Sequence, residues 1–149
     1  MKREQALRQV EELLDSQGLG VLATESKGRP HTSLVAYART EDLRRLMFGT
    51  TKASRKYSNI QINPRVAMLV DNRSNEVSDF KDAMAITAMG NAFEPEGEER
   101  EMMLEAYKER HSYLSDFASS PTIAFIAIEV ESYNLVSRFQ KVLELRMDD

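Results

Sequence analysis

The sequence predicts an α+β chain dominated by β-structure: an antiparallel barrel of six or seven strands, with helices at three places. Short apolar stretches recur at 20–24, 31–38, 46–50, 66–71, 83–93, 122–130 and 133–139, with polar or turn-forming residues between them. Turns and short helices join them, without the regular βαβ alternation of a parallel sheet. Helical spacing is confined to 3–16, 55–62 and 98–117. A six-stranded barrel fills its interior with its own side chains. Any cofactor is therefore expected outside the barrel, in a groove or between subunits.

The chain has 149 residues, enough for one domain with a real core. The expected organisation is an N-terminal helix (1–18), barrel strands (20–94 and 122–145) and a helical insertion (97–118). Charged residues make up 30% and the net charge is −4, which argues against a general nucleic-acid binder. There is no cysteine, hence no disulfide, thiolate metal site or cysteine nucleophile. That composition is compatible with a reducing cytoplasm, the expected location. No apolar run approaches the ~20 residues of a membrane span. No apolar segment of a secretory signal follows Met1-Lys2-Arg3.

In the first helix Ala6, Val10, Leu13 and Leu14 share one face, and Gly18 suits its end. Its expected place is over the outside or one end of the barrel. Ser26 to Pro30 has turn chemistry and makes the first two strands a hairpin. Residues 72–81 are polar and aperiodic, an expected loop. In the next strand Gly90 suggests a bulge or a close backbone approach. The helical stretch 98–117 reads as two pieces with Met103, Tyr107, Leu114 and Phe117 inward. Its end carries Ser119-Ser120-Pro121. Strands 122–130 and 133–139 follow, with 142–145 as an extension.

The most informative stretch is Gly49 to Lys56 and its continuation to Asp71. Ser54 is a natural N-cap, and Asn63-Pro64 ends the helix. Arg55 and Lys56 then occupy the first turn, with Lys52 just outside. The helix dipole disfavours cations there by about 0.3–1 kcal/mol each. Free N–H groups, three cations and the hydroxyls of Thr50, Thr51 and Ser54 suit an anion such as phosphate. The other reading is a solvated basic turn that binds nothing.

Four stretches together resemble the FMN-binding split-barrel family related to pyridoxamine 5′-phosphate oxidase. They are Gly20–Thr24, Gly28–Val35, Phe48–Lys56 and Asn63–Val70. The run Ile126–Phe139 is similar to the closing strands of small members. The resemblance implies a split barrel and a homodimer with flavin at the subunit interface. It implies that Arg55 and Lys56 clamp the FMN phosphate, helped by Ser54 and Thr50. It further implies that backbone and side chains of His31, Thr32, Ser33, Leu34 and Val35 lie along the isoalloxazine ring and ribityl chain. Asn72, Arg73 and Asn75 would line the substrate side, and Arg138 and Gln140, flanking Phe139, would reach a partner's flavin.

The expected function is an FMN-dependent oxidoreductase acting on a small-molecule substrate or electron donor. The alternatives are a non-enzymatic flavin-binding electron carrier or redox sensor, or a relative that binds haem or a deazaflavin. Vitamin B6 oxidation is not expected. Ala85 stands where true oxidases carry a flavin-contacting glutamine, and no Arg-rich C-terminal segment is present. No histidine follows His111, which itself reads as a surface or helix-end residue. No metal site is expected, because no ligand set has suitable spacing. Ser33 lacks the partners of a hydrolase triad.

Overall fold

The computed structural model describes residues 2–138 and 141–148. Helix α1 (Arg3–Ser16) leads into strands β1 (Leu19–Ser26), β2 (Arg29–Arg39) and β3 (Arg45–Thr51). Helix α2 (Arg55–Ile62) and strand β4 (Arg65–Asp71) follow. Next come the one-turn helix α3 (Asp79–Asp82), strand β5 (Met84–Phe93), helix α4 (Gly97–Arg110), a 3-10 turn and helix α5 (Ser115–Ser119). Strands β6 (Ile123–Ser137) and β7 (Lys141–Arg146) complete the chain. Antiparallel pairing runs β3-β2-β1-β4-β5-β6-β7, and a further β3–β6 pairing closes the first six strands into a barrel. The mainly β, α+β barrel with flanking helices is therefore as expected.

Two expected strands, 122–130 and 133–139, are one continuous strand of 15 residues. The register against β5 shifts between Met89 and Gly90, where Val130 pairs with Gly90 and Ser132 with Met89, leaving Glu131 extra. The break read at Glu131-Ser132 is a bulge within an unbroken strand. The early half of β6 pairs with β3 and the later half with β7. One long strand thus closes the barrel and also carries its extra edge. The loop expected over 72–81 holds the short α3 at its end.

The inward residues of alternating strands, among them Leu22, Tyr37, Phe48, Met68, Ile86, Ile126 and Tyr133, form one buried core. The apolar face of α1 joins that core through Ala6, Val10, Leu13 and Leu14. A second cluster lies where Met103 and Tyr107 of α4 and Ala118 of α5 meet Met47, Phe125 and Ala127. Leu114 is half-buried beside it, whereas Phe117 is 39% exposed and not the inward residue expected. His111 is also not a surface residue. It follows α4 as its cap, is buried, and places Nε2 2.6 Å from the carbonyl of Tyr37.

Tyr37 ties α1 to the barrel: its hydroxyl donates to the carbonyls of Leu14 (2.7 Å) and Gln17 (3.1 Å). Arg110 donates to the same C-terminal carbonyls of the helix. Burial pushes the Tyr37 hydroxyl from its ordinary value near 10 up to about 12, and Tyr107 likewise to about 12. A raised folded-state value means that the neutral hydroxyl contributes its full stabilisation below pH 10. That contribution is lost as pH rises through 12. Tyr37→Phe is expected to cost about 1–2 kcal/mol at neutral pH. It should also lose less further stability than the parent between pH 10 and 12, as measured by urea unfolding at each pH.

Candidate functional site

Strand β3 delivers Thr50 and Thr51 to a tight turn, and Ser54 starts α2. The Ser54 side chain accepts from the Tyr57 N–H at 3.2 Å, so the expected cap is present. Thr50 Oγ1 lies 2.9 Å from Ser54 Oγ. That contact uses one of the two hydroxyl protons and leaves the other to donate elsewhere. Thr51 Oγ1 accepts from the Ala53 N–H. The helix end is fixed by Asn63, whose N–H donates to the Asn59 carbonyl.

Two backbone donors at this helix start are unused. Among the described residues, no hydrogen bond employs the N–H groups of Arg55 and Lys56. Among the described residues neither side chain makes an ion pair, nor does that of Lys52. The first turn of α2 contains no acidic residue. Free backbone donors and cations without an ion-pair partner among the described residues thus share the helix end where the dipole is positive. An anion placed there would satisfy both.

The β1–β2 hairpin faces this helix across a cavity of about 670 Å³ lined by Lys27, Arg29, Pro30, His31, Arg55, Asn59 and Ile62, with Ser26. Of the expected site residues, only His31 and Arg55 line it. Asn59 is buried and donates to Thr24 Oγ1 at 3.0 Å, fixing α2 to β1 beside the cavity. Lys27, Arg29, Asn59 and Ile62 were not among the residues anticipated. Their cue was only a basic hairpin and one polar residue in an otherwise apolar helical spacing.

Strand alternation separates the expected run 31–35. Ser33 pairs with buried Leu22, on the barrel's inner side, and its hydroxyl is buried without a hydrogen-bond partner among the described residues. The Val35 side chain lies in the core. Neither side chain reaches the outer face, to which Thr32 and Leu34 of this run belong. There Leu34 is 64% exposed and continues across the strands to Val21, Leu69 and Thr87. Thr32 similarly continues to Ala23, Ala67 and Met89. None of these residues belongs to either buried cluster. The outer face of four adjacent strands is thus small, largely apolar and partly exposed.

A second cavity, of about 610 Å³, opens at the far end of β4 and β5. Arg73 and Asn75 line it with Leu69, Met84 and Ala85. Asn72 does not; its side-chain oxygen accepts from the Met84 N–H at 2.8 Å. Arg73 is paired with Asp71 at 3.0 Å. Arg138 lies in the β6–β7 turn with φ 52, and its expected companions Phe139 and Gln140 fall outside the described residues. Among the described residues there is no group of three side chains able to hold a metal, and no helix long and apolar enough to cross a membrane.

A closed six-stranded antiparallel barrel with a capped, basic helix start defines a split-barrel protein. The chain belongs to the pyridoxamine 5′-phosphate oxidase family, whose model matches residues 6–137. Solved structures of similar fold include a haem-binding protein from Mycobacterium smegmatis, at 18% identity and TM-score 0.80 over 90% of this chain. This chain spans only 55% of that protein's length. A haem storage protein of Vibrio cholerae is 17% identical, with TM-score 0.72 over 87% of this chain and 92% of the other. An FAD-binding protein from Mesorhizobium loti is 18% identical, with TM-score 0.68 over 86% and 91%. At these identities the likeness is one of fold. No curated protein matches the chain significantly.

Proposed function

We propose that this protein binds FMN and acts as a flavin-dependent oxidoreductase on a small molecule. One observation carries the reading. The first turn of α2 carries the N–H groups of Arg55 and Lys56, which no hydrogen bond uses among the described residues, and two cationic side chains with no ion-pair partner among them. Arg55 and Lys56 would hold the phosphate, and the remaining Thr50–Ser54 hydroxyl proton would donate to it. The apolar outer face at Thr32 and Leu34 is a surface suited to a flat ring. When bound, FMN would supply the electron or hydride chemistry, and the chain would bind and orient it. Ala85 offers no side-chain amide at the position where the true oxidases use one, so the substrate is expected to differ from a B6 vitamer.

A second copy of the chain is the proposed cover for that outer face, giving a homodimer with flavin between subunits. Leu34→Asp would place a charge at its most exposed apolar point. The expected result is a shift from dimer to monomer in sedimentation velocity, with loss of bound flavin. A variant that stays dimeric and retains flavin would refute this assignment of the face.

Haem is the second reading, favoured by His31. Its imidazole lines the basic cavity beside Arg29 and Arg55 and makes no hydrogen bond among the described residues, whereas His111 is engaged with Tyr37. An imidazole among guanidinium groups suits an iron porphyrin with carboxylate arms. The absorption spectrum of the purified protein, followed by mass analysis of the released ligand, decides between them. Flavin bands with the mass of FMN, or of the dinucleotide FAD that contains it, support the flavin reading. A Soret band or a deazaflavin mass replaces the cofactor assignment. NADH and NADPH oxidation assays then separate turnover from electron carriage.

A further inference from the structure

We infer that the β1–β2 hairpin is a second anion subsite, so that the site takes two separate anionic groups, one on α2 and one on the hairpin. This rests on the flavin reading above and extends it from a mononucleotide to a ligand with a second phosphate. The α2 start, with its two free N–H groups and two cations, already suffices for one phosphate. Across the cavity Lys27, Arg29 and His31 add basic groups, and among the described residues no carboxylate lines the space. Among the described residues none of the three has an ion-pair partner or side-chain hydrogen bond. The hairpin's own acid, Glu25, does not line the cavity; its carboxylate accepts from the Gly28 N–H within the turn and, at 2.6 Å, from Asn63 Nδ2.

The hairpin holds these cations in a defined place. Ser26 pairs with Arg29, and Lys27 (φ 55) and Gly28 (φ 78) form the two-residue loop between them. Both central residues have positive φ, as a type I′ turn requires. A lysine is an unfavourable occupant of the first of these positions, where asparagine or aspartate would serve the turn better. Exposed Ile62 and Pro30 give the same cavity an apolar side. At about 670 Å³ the cavity matches the size of small-molecule sites and exceeds what one phosphate needs. Its chemistry fits a diphosphate or phosphate joined to a heterocycle. The source is either the adenylate half of a dinucleotide flavin or a separate phosphorylated molecule beside FMN.

The test compares FMN and FAD binding by calorimetry in the parent and in the double variant Lys27→Asn, Arg29→Gln. These changes remove both charges, and Asn-Gly is itself a preferred I′ pair, so the hairpin is retained. The expected result is tighter binding of FAD than of FMN by the parent, with the FAD-to-FMN affinity ratio falling about tenfold or more in the variant. If the parent shows no preference for FAD, adenosine 5′-monophosphate is titrated into the FMN-loaded protein. Binding that disappears in the double variant assigns the second phosphate to a separate molecule. FMN binding with neither an FAD preference nor nucleotide binding overturns the subsite and leaves the phosphate clamp standing. Failure to bind either flavin overturns the flavin reading and this inference with it.

Discussion

Replacing Arg55 and Lys56 together by alanine is expected to weaken FMN binding by about a hundredfold or more, since each charged hydrogen bond contributes about 1.5–3 kcal/mol. Stability should move the other way or not at all. Arg55 is exposed, Lys56 half-buried, and neither pairs with another side chain among the described residues. Both sit where the helix dipole opposes positive charge, so their removal relieves about 0.3–1 kcal/mol each in the free protein. The melting temperature without ligand should therefore hold or rise slightly, while the stabilisation conferred by added FMN disappears. That opposition separates a binding role from a structural one. Unchanged FMN affinity in the double variant would remove the phosphate clamp from the assignment. A fall in ligand-free stability would instead mean that the two cations support the fold.

What was legible in the sequence was local. Helix α2 depends on Ser54 at one end and Asn63-Pro64 at the other, and both signals lie within the helix and its flanks. The Gly90 reading was also local, and the structure supplies both the bulge and the close approach. What escaped was set by barrel closure. Lys27 and Arg29 are far from Arg55 along the chain and face it only because β1 and β2 pack beside α2. His111 follows a polar helix and reads as a surface or helix-end residue; it is the helix-end one. It is buried because the chain after α4 turns it towards the Tyr37 carbonyl and Gly18. Along residues 31–35 alternate side chains face opposite sides of β2, so the run offers side chains at some positions and backbone at the others. The same periodicity places Val35 in the core and Leu34 outside.

Gly90→Ala is expected to damage the fold although it adds only one methyl group. A Cβ at this position would stand 2.1 Å from the Glu129 carbonyl oxygen and 3.0 Å from Ile128 Cγ2. The first neighbour is backbone in the middle of the closing strand. It cannot rotate away as a side chain would. Relief requires β5 and β6 to separate just where the bulge already interrupts their register. Because β6 also pairs with β3 there, through Arg45 and Glu129, the displacement spreads to the strand pair that closes the barrel. Overpacking of this kind costs about 3 kcal/mol, and at this chain length each kcal/mol lowers the melting temperature by roughly 2–4 °C. A thermal scan should show a loss of about 6–12 °C. Thr50 and Thr51 lie on β3, paired with Ala124 and Ile123 of the same long strand, so the strain has a direct route to the turn before α2. Loosened FMN binding should accompany the lost stability. A Gly90→Ala protein that melts like its parent would mean that the β5–β6 bulge can open without cost, and that the glycine is not what holds the barrel's closing strand in place.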